Sequence, residues 1–190
     1  MILHVYLPEA SAAPRQAATW AALPGLAAAG GGRILSVAPP ADRPLRYAEA
    51  LRAAWSAAAA IDEDLVVLEG DKLLAPVQLR GLLACPCLIC AQAYRLYPCT
   101  TGLPAPIYAQ GEDLGAAGVR WLREREAWAG VSGLGVLRLS RRLPDGPRCA
   151  GAYGPDFDRR VVGPLVANHG PVHVHWPPAV HDHRGGWAGD

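Results

Sequence analysis

The first half of the chain alternates short apolar runs with longer segments of helical periodicity. Ile2–Leu7 and Arg33–Val37 are typical of strands, and proline residues follow each of them closely. Between the two runs, the pattern predicts a helix from a cap at Ser11 to about Leu23, where Pro24-Gly25 would end it.

A second helix and a third strand continue this order. Helical spacing relates a set of apolar residues: Leu45, Ala48, Leu51, Ala54, Trp55 and Ala58. Leu65–Leu68 is short, apolar and partly β-branched, which predicts a central strand covered on both faces. A helix from Val77 to Ala84 follows, with Pro76 near its start. The order β-α-β-α-β-α predicts an α/β domain with a mostly parallel sheet and helices on both faces.

The second half of the chain is less regular. Four strands and two helices are predicted there: strands at Ile89–Leu96, Ile107–Ala109, Val136–Leu139 and Val172–Val174, and helices at Val119–Trp128 and Pro155–Asn168. Neither an internal repeat nor a linker interrupts the chain, so we expect a single domain.

Composition narrows the function classes. The chain has 190 residues, 51% of them hydrophobic, and a net charge of +1, which argues against a dedicated nucleic-acid binder. No apolar run reaches the ~18–20 residues of a membrane span, and the N-terminus lacks signal-peptide features. We therefore expect a cytoplasmic protein without a membrane span. Five cysteines, four of them within Cys85–Cys99, do not fit a secreted disulfide framework.

The acidic segment Glu69-Gly70-Asp71 directly follows the predicted central strand. Two carboxylates separated by glycine can face one ligand across a tight turn. In parallel α/β sheets, ligands bind beyond the carboxyl ends of the strands. Carboxylate oxygens suit Mg²⁺ or Mn²⁺, which can bridge two phosphates. We interpret this acidic turn as a ligand site, and a solvated surface turn is the alternative.

The stretch Ala48–Leu83, which contains Asp-Leu-Val-Val-Leu-Glu-Gly-Asp-Lys, resembles the GT-A-type glycosyltransferases, in particular small family-2-like bacterial or phage members. Gly133–Ser140 and His173–His183 are similar to the closing segments of such proteins. The resemblance implies a GT-A-like, Rossmann-like fold and a cofactor, Mn²⁺ or Mg²⁺. It implies sugar transfer from a UDP- or GDP-sugar to an unknown acceptor; nucleic acid is not expected as a partner unless it is that acceptor. The single domain, 1–190, would comprise a nucleotide-binding half, 1–110, and an acceptor-side half, 111–190.

The resemblance also implies roles for single residues. Asp71 would be the main metal ligand, and Glu69, where the family more often has Asp, would contact the metal or the sugar. Pro8 and Glu9 after the first strand, and Asp42 after the second, would lie near the base or ribose. Asp156 would accept the acceptor hydroxyl's proton in an inverting transfer. Helix capping is the alternative role for Asp156.

Four histidines, His173, His175, His181 and His183, fall close together near the end of the chain. A His-x-His pair on a strand places both rings on one face. The resemblance implies that His181 or His183 shares the metal of the acidic turn. Two alternatives stay open: the two pairs could form the zinc site of a hydrolase, or the domain could be a non-catalytic sugar-binding or phage accessory module.

The cysteines and tryptophans allow two interpretations each. Cys87 and Cys90 have the spacing of zinc ligands, but a second paired motif is missing, so we favour small buried residues. Trp121, Trp128 and Trp176 could stack on a sugar ring, and packing in the core or an interface is the more frequent use.

Overall fold

The structure is a computed structural model. It describes residues 1–6, 13–37, 45–69, 72–95, 104–105, 107–109, 120–121, 128–129, 131–132, 134–148 and 157–181. Four helices lie in these ranges: α1 (Ala13–Gly30), α2 (Leu45–Ala60), α3 (Pro76–Ala84) and α4 (Phe157–His169). The described strands up to residue 95 are β1 (Ile2–Tyr6), β2 (Arg33–Val37), β3 (Leu65–Glu69), β4 (Lys72–Leu73) and β5 (Ile89–Arg95). Those after residue 95 are β6 (Pro104–Ala105), β7 (Ile107–Ala109), β8 (Arg120–Trp121), β9 (Trp128–Ala129), β10 (Val131–Ser132), β11 (Val136–Leu139) and β12 (Val172–His181).

The main sheet has the strand order β2-β1-β3-β11-β5-β12-β4. β1 pairs in parallel with β2 and β3, and β12 pairs in parallel with β5. β11 lies antiparallel between β3 and β5, so β3 and β5 run in the same direction. β6 and β9 add short antiparallel pairings, and β10-β7-β8 form a separate small sheet. The described chain is therefore a mixed α/β fold with a partly parallel sheet.

Two apolar clusters cover the two faces of this sheet. Along β3, the side chains of Leu65 and Val67 belong to one cluster, and those of Val66 and Leu68 belong to the other. The first cluster contains residues of α2 and α4, and the second contains residues of α1 and α3. The side chains of Leu65–Leu68 are fully buried, as the continuous apolar run predicts for a central strand. The prediction of helices on both faces is confirmed for the described residues.

The structure corrects three predicted elements. α1 continues through Pro24 to Gly30. Pro24 is exposed, whereas Leu23 and Leu26 are buried in the core, and their packing keeps the helix continuous on both sides of the proline. The predicted helix Val119–Trp128 is wrong at its described ends, where β8 pairs with β7, and β9 pairs with β12. In both cases tertiary contacts outweigh local preference.

The third corrected element is the last strand. β12 runs from Val172 to His181, well beyond the predicted Val172–Val174. Its pairing with β5 is interrupted by a bulge between His175 and Ala179, which contains the cis peptide bond Trp176-Pro177. The buried side-chain amide of Gln92 donates hydrogen bonds to the carbonyls of His175 and Pro177. Gln92 therefore gives the irregular backbone the partners that a regular ladder would supply. Among the described residues, no helix has the length and apolar character needed to cross a membrane.

Candidate functional site

The acidic turn begins at the carboxyl edge of the parallel strands. Glu69 ends β3 and lies opposite Tyr6, the last residue of β1. The backbone N–H of Glu69 donates to the carbonyl of Gly135 at 2.9 Å, just before β11. These contacts give Glu69 a rigid support at the edge where ligands of α/β sheets bind. Gly70 and Asp71 lie outside the described residues.

Lys72, the single lysine of the chain, lies against the Glu69 carboxylate. Its Nζ is 3.2 Å from Oε2 of Glu69, and the two side chains are 3% and 17% exposed. The same Nζ lies 4.8 Å from the centroid of the Tyr94 ring, which suits a cation–π contact. Burial of an ammonium group requires compensating charge, and Glu69 and the Tyr94 ring face supply it.

Gly135 makes room for the ring of Tyr94. A Cβ atom at position 135 would lie 2.5 Å from Cε1 and Cζ of this ring, which is closer than real contacts allow. The absence of a side chain at Gly135 therefore lets Tyr94 lie under Lys72, while the Gly135 carbonyl holds the Glu69 backbone. We call Glu69, Lys72, Tyr94 and Gly135 the acidic rim.

The end of β12 reaches the acidic rim from the other half of the chain. β12 pairs antiparallel with β4, with His181 opposite Lys72 and Val180 opposite Leu73. The backbone of His181 therefore lies beside the residue that directly follows Asp71. The side chain of His181 lies outside the described part of the structure, as do Pro8, Glu9, Asp42, Asp156 and His183, so the roles predicted for these residues stay predictions.

A second group of functional side chains lies at the opposite end of the parallel strands. One ligand atom each from Cys85, Cys90, His173 and His175 lies within 4.8 Å of the other three, and this group could hold a metal ion. Cys90 is the second residue of β5 and pairs with His173 near the start of β12. Cys85 directly follows α3. We call these four residues the Cys/His cluster.

Short contacts join the members of the Cys/His cluster. Nδ1 of His173 lies 3.3 Å from Sγ of Cys85 and 3.2 Å from Nε2 of His175. The two imidazole rings meet at 89°, and the ring of Trp128 makes a second edge contact with His173. Cys85 and Cys90 are buried, as both small core residues and the ligands of a closed metal site would be, and the half-exposed Trp128 borders the cluster. Trp176 packs against the core cluster that contains α2 and α4.

Arg138 supplies a buried positive charge beside the cluster. Its Nη1 lies 3.7 Å from Sγ of Cys90 and donates to the carbonyls of Cys85 and Cys87. Its Nε and Nη2 both donate to Oδ2 of Asp64, at 2.9 and 2.7 Å. The guanidinium thus fixes the loop between Cys85 and Cys87 and is itself fixed by Asp64.

Burial shifts the pKa values of two members of the cluster, Cys90 and His175. Burial raises the pKa of the Cys90 thiol, and the neighbouring Cys85 raises it further, against the opposing charge of Arg138. Burial also lowers the pKa of His175, and the charges of His173 and Arg138 act in the same direction. A neutral imidazole is the form that binds metals. Thiol sulfur and imidazole nitrogen are donors typical of zinc, whereas Mn²⁺ and Mg²⁺ prefer oxygen.

Sequence reasoning placed the cysteines and the first histidine pair in separate groups. The His-x-His pair does lie on one side of β12, but its neighbours are Cys85 and Cys90 rather than the acidic turn. His181 reaches the acidic rim at the far end of the same strand. The register between β5 and β12 determines that His173 lies beside Cys90, while His181 lies at the other end of β12. No local sequence motif encodes that register. The single lysine was the one compositional feature that could have drawn attention to Lys72.

Comparisons with protein families, with curated proteins and with solved structures found no match to this chain.

Proposed function

We propose that this chain is a metal-assisted glycosyltransferase that moves a sugar from a UDP- or GDP-sugar to an acceptor. The observation that carries the proposal is the pairing of His181 with Lys72, next to the acidic turn. The backbone of a C-terminal histidine thus lies beside the residue that follows Asp71 in the sequence, which supports the shared metal role that the resemblance to GT-A-type enzymes implies. His181 lies next to Lys72 because β12 pairs with β4, two strands far apart in the sequence, and not because of a local sequence motif.

Asp71, two positions after Glu69 of the acidic rim, offers the carboxylate oxygen that Mn²⁺ and Mg²⁺ prefer. Asp71 and His181 would hold Mn²⁺ or Mg²⁺, which would stabilise the charge of the departing nucleoside diphosphate. The Lys72 ammonium at 3.2 Å neutralises Glu69 and would repel a cation bound to the same carboxylate. We therefore assign Glu69 to sugar contact and leave Asp71 as the principal acidic ligand.

The remaining predicted residues adjoin described elements in the sequence. Pro8 and Glu9 come after β1, and Asp42 comes between β2 and α2, so they belong to segments that leave the carboxyl ends of parallel strands. We assign them to the nucleotide. Asp156 directly precedes α4 and would accept the acceptor proton in an inverting transfer.

Thermal unfolding with nucleotide and metal tests the proposal. UDP or GDP should raise the melting temperature in the presence of Mn²⁺ and much less in its absence, because a ligand that binds only the native state stabilises it. At a ligand concentration one hundred times Kd, the gain is about 2.7 kcal/mol. Asp71→Asn should abolish this gain. Asp145→Asn is the matched control, because Asp145 pairs with Arg148 and His169 in the loop after β11 and should leave the gain intact.

Other outcomes distinguish the alternatives. A gain from free sugars with no response to diphosphates would indicate a sugar-binding module. Hydrolysis of a test ester or amide that needs zinc and His181 would indicate a hydrolase. If neither nucleotide stabilises the chain with Mn²⁺, or if Asp71→Asn responds like the unmodified chain, the transferase proposal is wrong.

A further inference from the structure

The Cys/His cluster has the composition of a closed tetrahedral metal site. Two thiols and two imidazoles supply four ligands, which is the usual number and the usual chemistry of structural zinc sites. None of the three described cysteines, Cys85, Cys87 and Cys90, is joined in a disulfide. Because protein side chains would fill all four positions, such a site would hold its ion without leaving a position for substrate.

Two of the six ligand-to-ligand distances within the cluster are close to those of a zinc tetrahedron. Bond lengths of about 2.3 Å to sulfur and about 2.0 Å to nitrogen place tetrahedral ligands roughly 3.3–3.8 Å apart. The His173–His175 and His173–Cys85 contacts are 3.2 and 3.3 Å. The limit of 4.8 Å on all pairs means that the widest pair need approach by only about 1 Å.

Two side chains next to the cluster, Arg138 and Gln92, support a thiolate–zinc site. The Arg138 guanidinium, 3.7 Å from Sγ of Cys90, can donate to a thiolate and offset its charge. The side-chain amide of Gln92 donates a hydrogen bond to the backbone carbonyl of His175 at 2.9 Å. This bond fixes the strand that presents both imidazoles independently of the metal.

We infer that Cys85, Cys90, His173 and His175 bind one structural zinc ion at the amino ends of β5 and β12. This site joins the end of α3 to two neighbouring strands that come from opposite halves of the chain. It is independent of the proposed transferase function, because the acidic rim lies at the carboxyl edge and uses none of these four residues. The ion would stabilise the fold and take no part in sugar transfer.

Metal analysis of the full chain tests the inference. The chain, purified without added metal or chelator, should carry about one zinc ion, as a four-ligand site requires. Replacement of zinc by Co²⁺ should give the visible bands of tetrahedral cobalt and a near-ultraviolet band from thiolate-to-cobalt charge transfer. Cys90→Ser and His175→Asn should each lose most of the zinc. Cys87→Ser is the matched control and should keep it, because Cys87 lies on the same loop outside the ligand set.

Chelation of the unmodified chain keeps the test decisive if a ligand variant does not fold. A strong zinc chelator should lower the melting temperature, and added Zn²⁺ should restore it, while Mn²⁺ should not. Three results would overturn the inference: a reduced, folded chain that binds neither zinc nor cobalt, equal zinc loss in Cys87→Ser and Cys90→Ser, or a Cys85–Cys90 disulfide in the freshly purified chain. The response to UDP or GDP with Mn²⁺ is measured separately, so either proposal can fail alone.

Discussion

Arg138 carries a positive charge in the core of this protein, and the single carboxylate of Asp64 stabilises it. Its side chain is 4% exposed, and the Asp64 carboxylate that binds it is 15% exposed. The other Oδ of Asp64 accepts the backbone N–H of Arg141 at 2.8 Å. The ion pair therefore connects the start of β3, the end of β11 and the Cys85–Cys87 loop, and its loss would leave an uncompensated buried charge.

Removing the charge of Asp64 should destabilise the fold strongly. We expect Asp64→Asn to lower the free energy of unfolding by about 3 kcal/mol, because the Arg138 guanidinium stays buried without its counter-ion. Urea denaturation measures the change. Asp62→Asn is the control: Asp62 contacts Arg141 at 3.4 Å with side chains 83% and 52% exposed, and such a surface pair contributes less than about 1 kcal/mol. Equal effects in the two variants would contradict the role of the buried pair.

At the scale of elements, four described elements follow closely from the sequence: β2, α3, β3 and β5. β2 and α3 have the predicted bounds within a residue, and β3 and β5 differ from theirs by one residue at the end. Their periodicity is strong, and proline or polar residues bound them. The continuation of α1 through Pro24 and the length of β12 could not be predicted in this way, because they depend on Leu26 packing and on Gln92, which lie outside the local pattern.

The candidate sites were less predictable than the elements. The acidic turn could be located because it follows a strong apolar strand, but its contact with Lys72 and Tyr94 depends on β5 and β11 lying side by side. The Cys/His cluster could not be assembled from spacing, since its ligands come from the loop after α3 and from β5 and β12. Long-range register decides both sites, and a single sequence contains little information on it.

A methyl group added at Gly135, in the loop just before β11, should disturb the packing of the acidic rim. We expect Gly135→Ala to lower the free energy of unfolding by about 1–3 kcal/mol, because the new Cβ would overlap the Tyr94 ring. The variant should also weaken stabilisation by nucleotide and Mn²⁺ if Tyr94 and Lys72 shift together. Gly163→Ala is the matched control: a Cβ atom added at this position in α4 would meet nothing within 4 Å, and helix preference favours alanine there by about 1 kcal/mol. An unchanged melting curve for Gly135→Ala would show that the Tyr94 ring does not pack closely against position 135.

At the scale of the whole molecule, β12 connects the two sites. Its first residues carry His173 and His175 of the Cys/His cluster, and its last residue pairs with Lys72 of the acidic rim. β12 also buries Val172, Val174 and Ala179 and pairs with β5, β9 and β4. Loss of order in this one strand would therefore affect both edges of the sheet.

Hydrogen exchange should show where zinc stabilises the fold. After chelation, we expect the amides of β12 and of the start of β5 to exchange faster, by about tenfold for each 1.4 kcal/mol of lost local stability. β1 and β2 lie on the far side of β3 and should change much less. Mass spectrometry of peptides from the two regions measures the difference. Uniform acceleration across the sheet would indicate that the ion stabilises the domain as one cooperative unit.

The single lysine has a practical consequence. Reductive methylation with ¹³C-formaldehyde modifies primary amines, and this chain offers two: the N-terminal amine, bound to Glu63 at 2.7 Å, and Lys72 at the acidic rim. Labelling would have to proceed through local opening, because the Lys72 side chain is 3% exposed. A labelled sample would contain one lysine resonance, at the place where nucleotide and divalent cation are proposed to bind. Paramagnetic broadening of that resonance by Mn²⁺ would report occupancy of the rim without any knowledge of the acceptor.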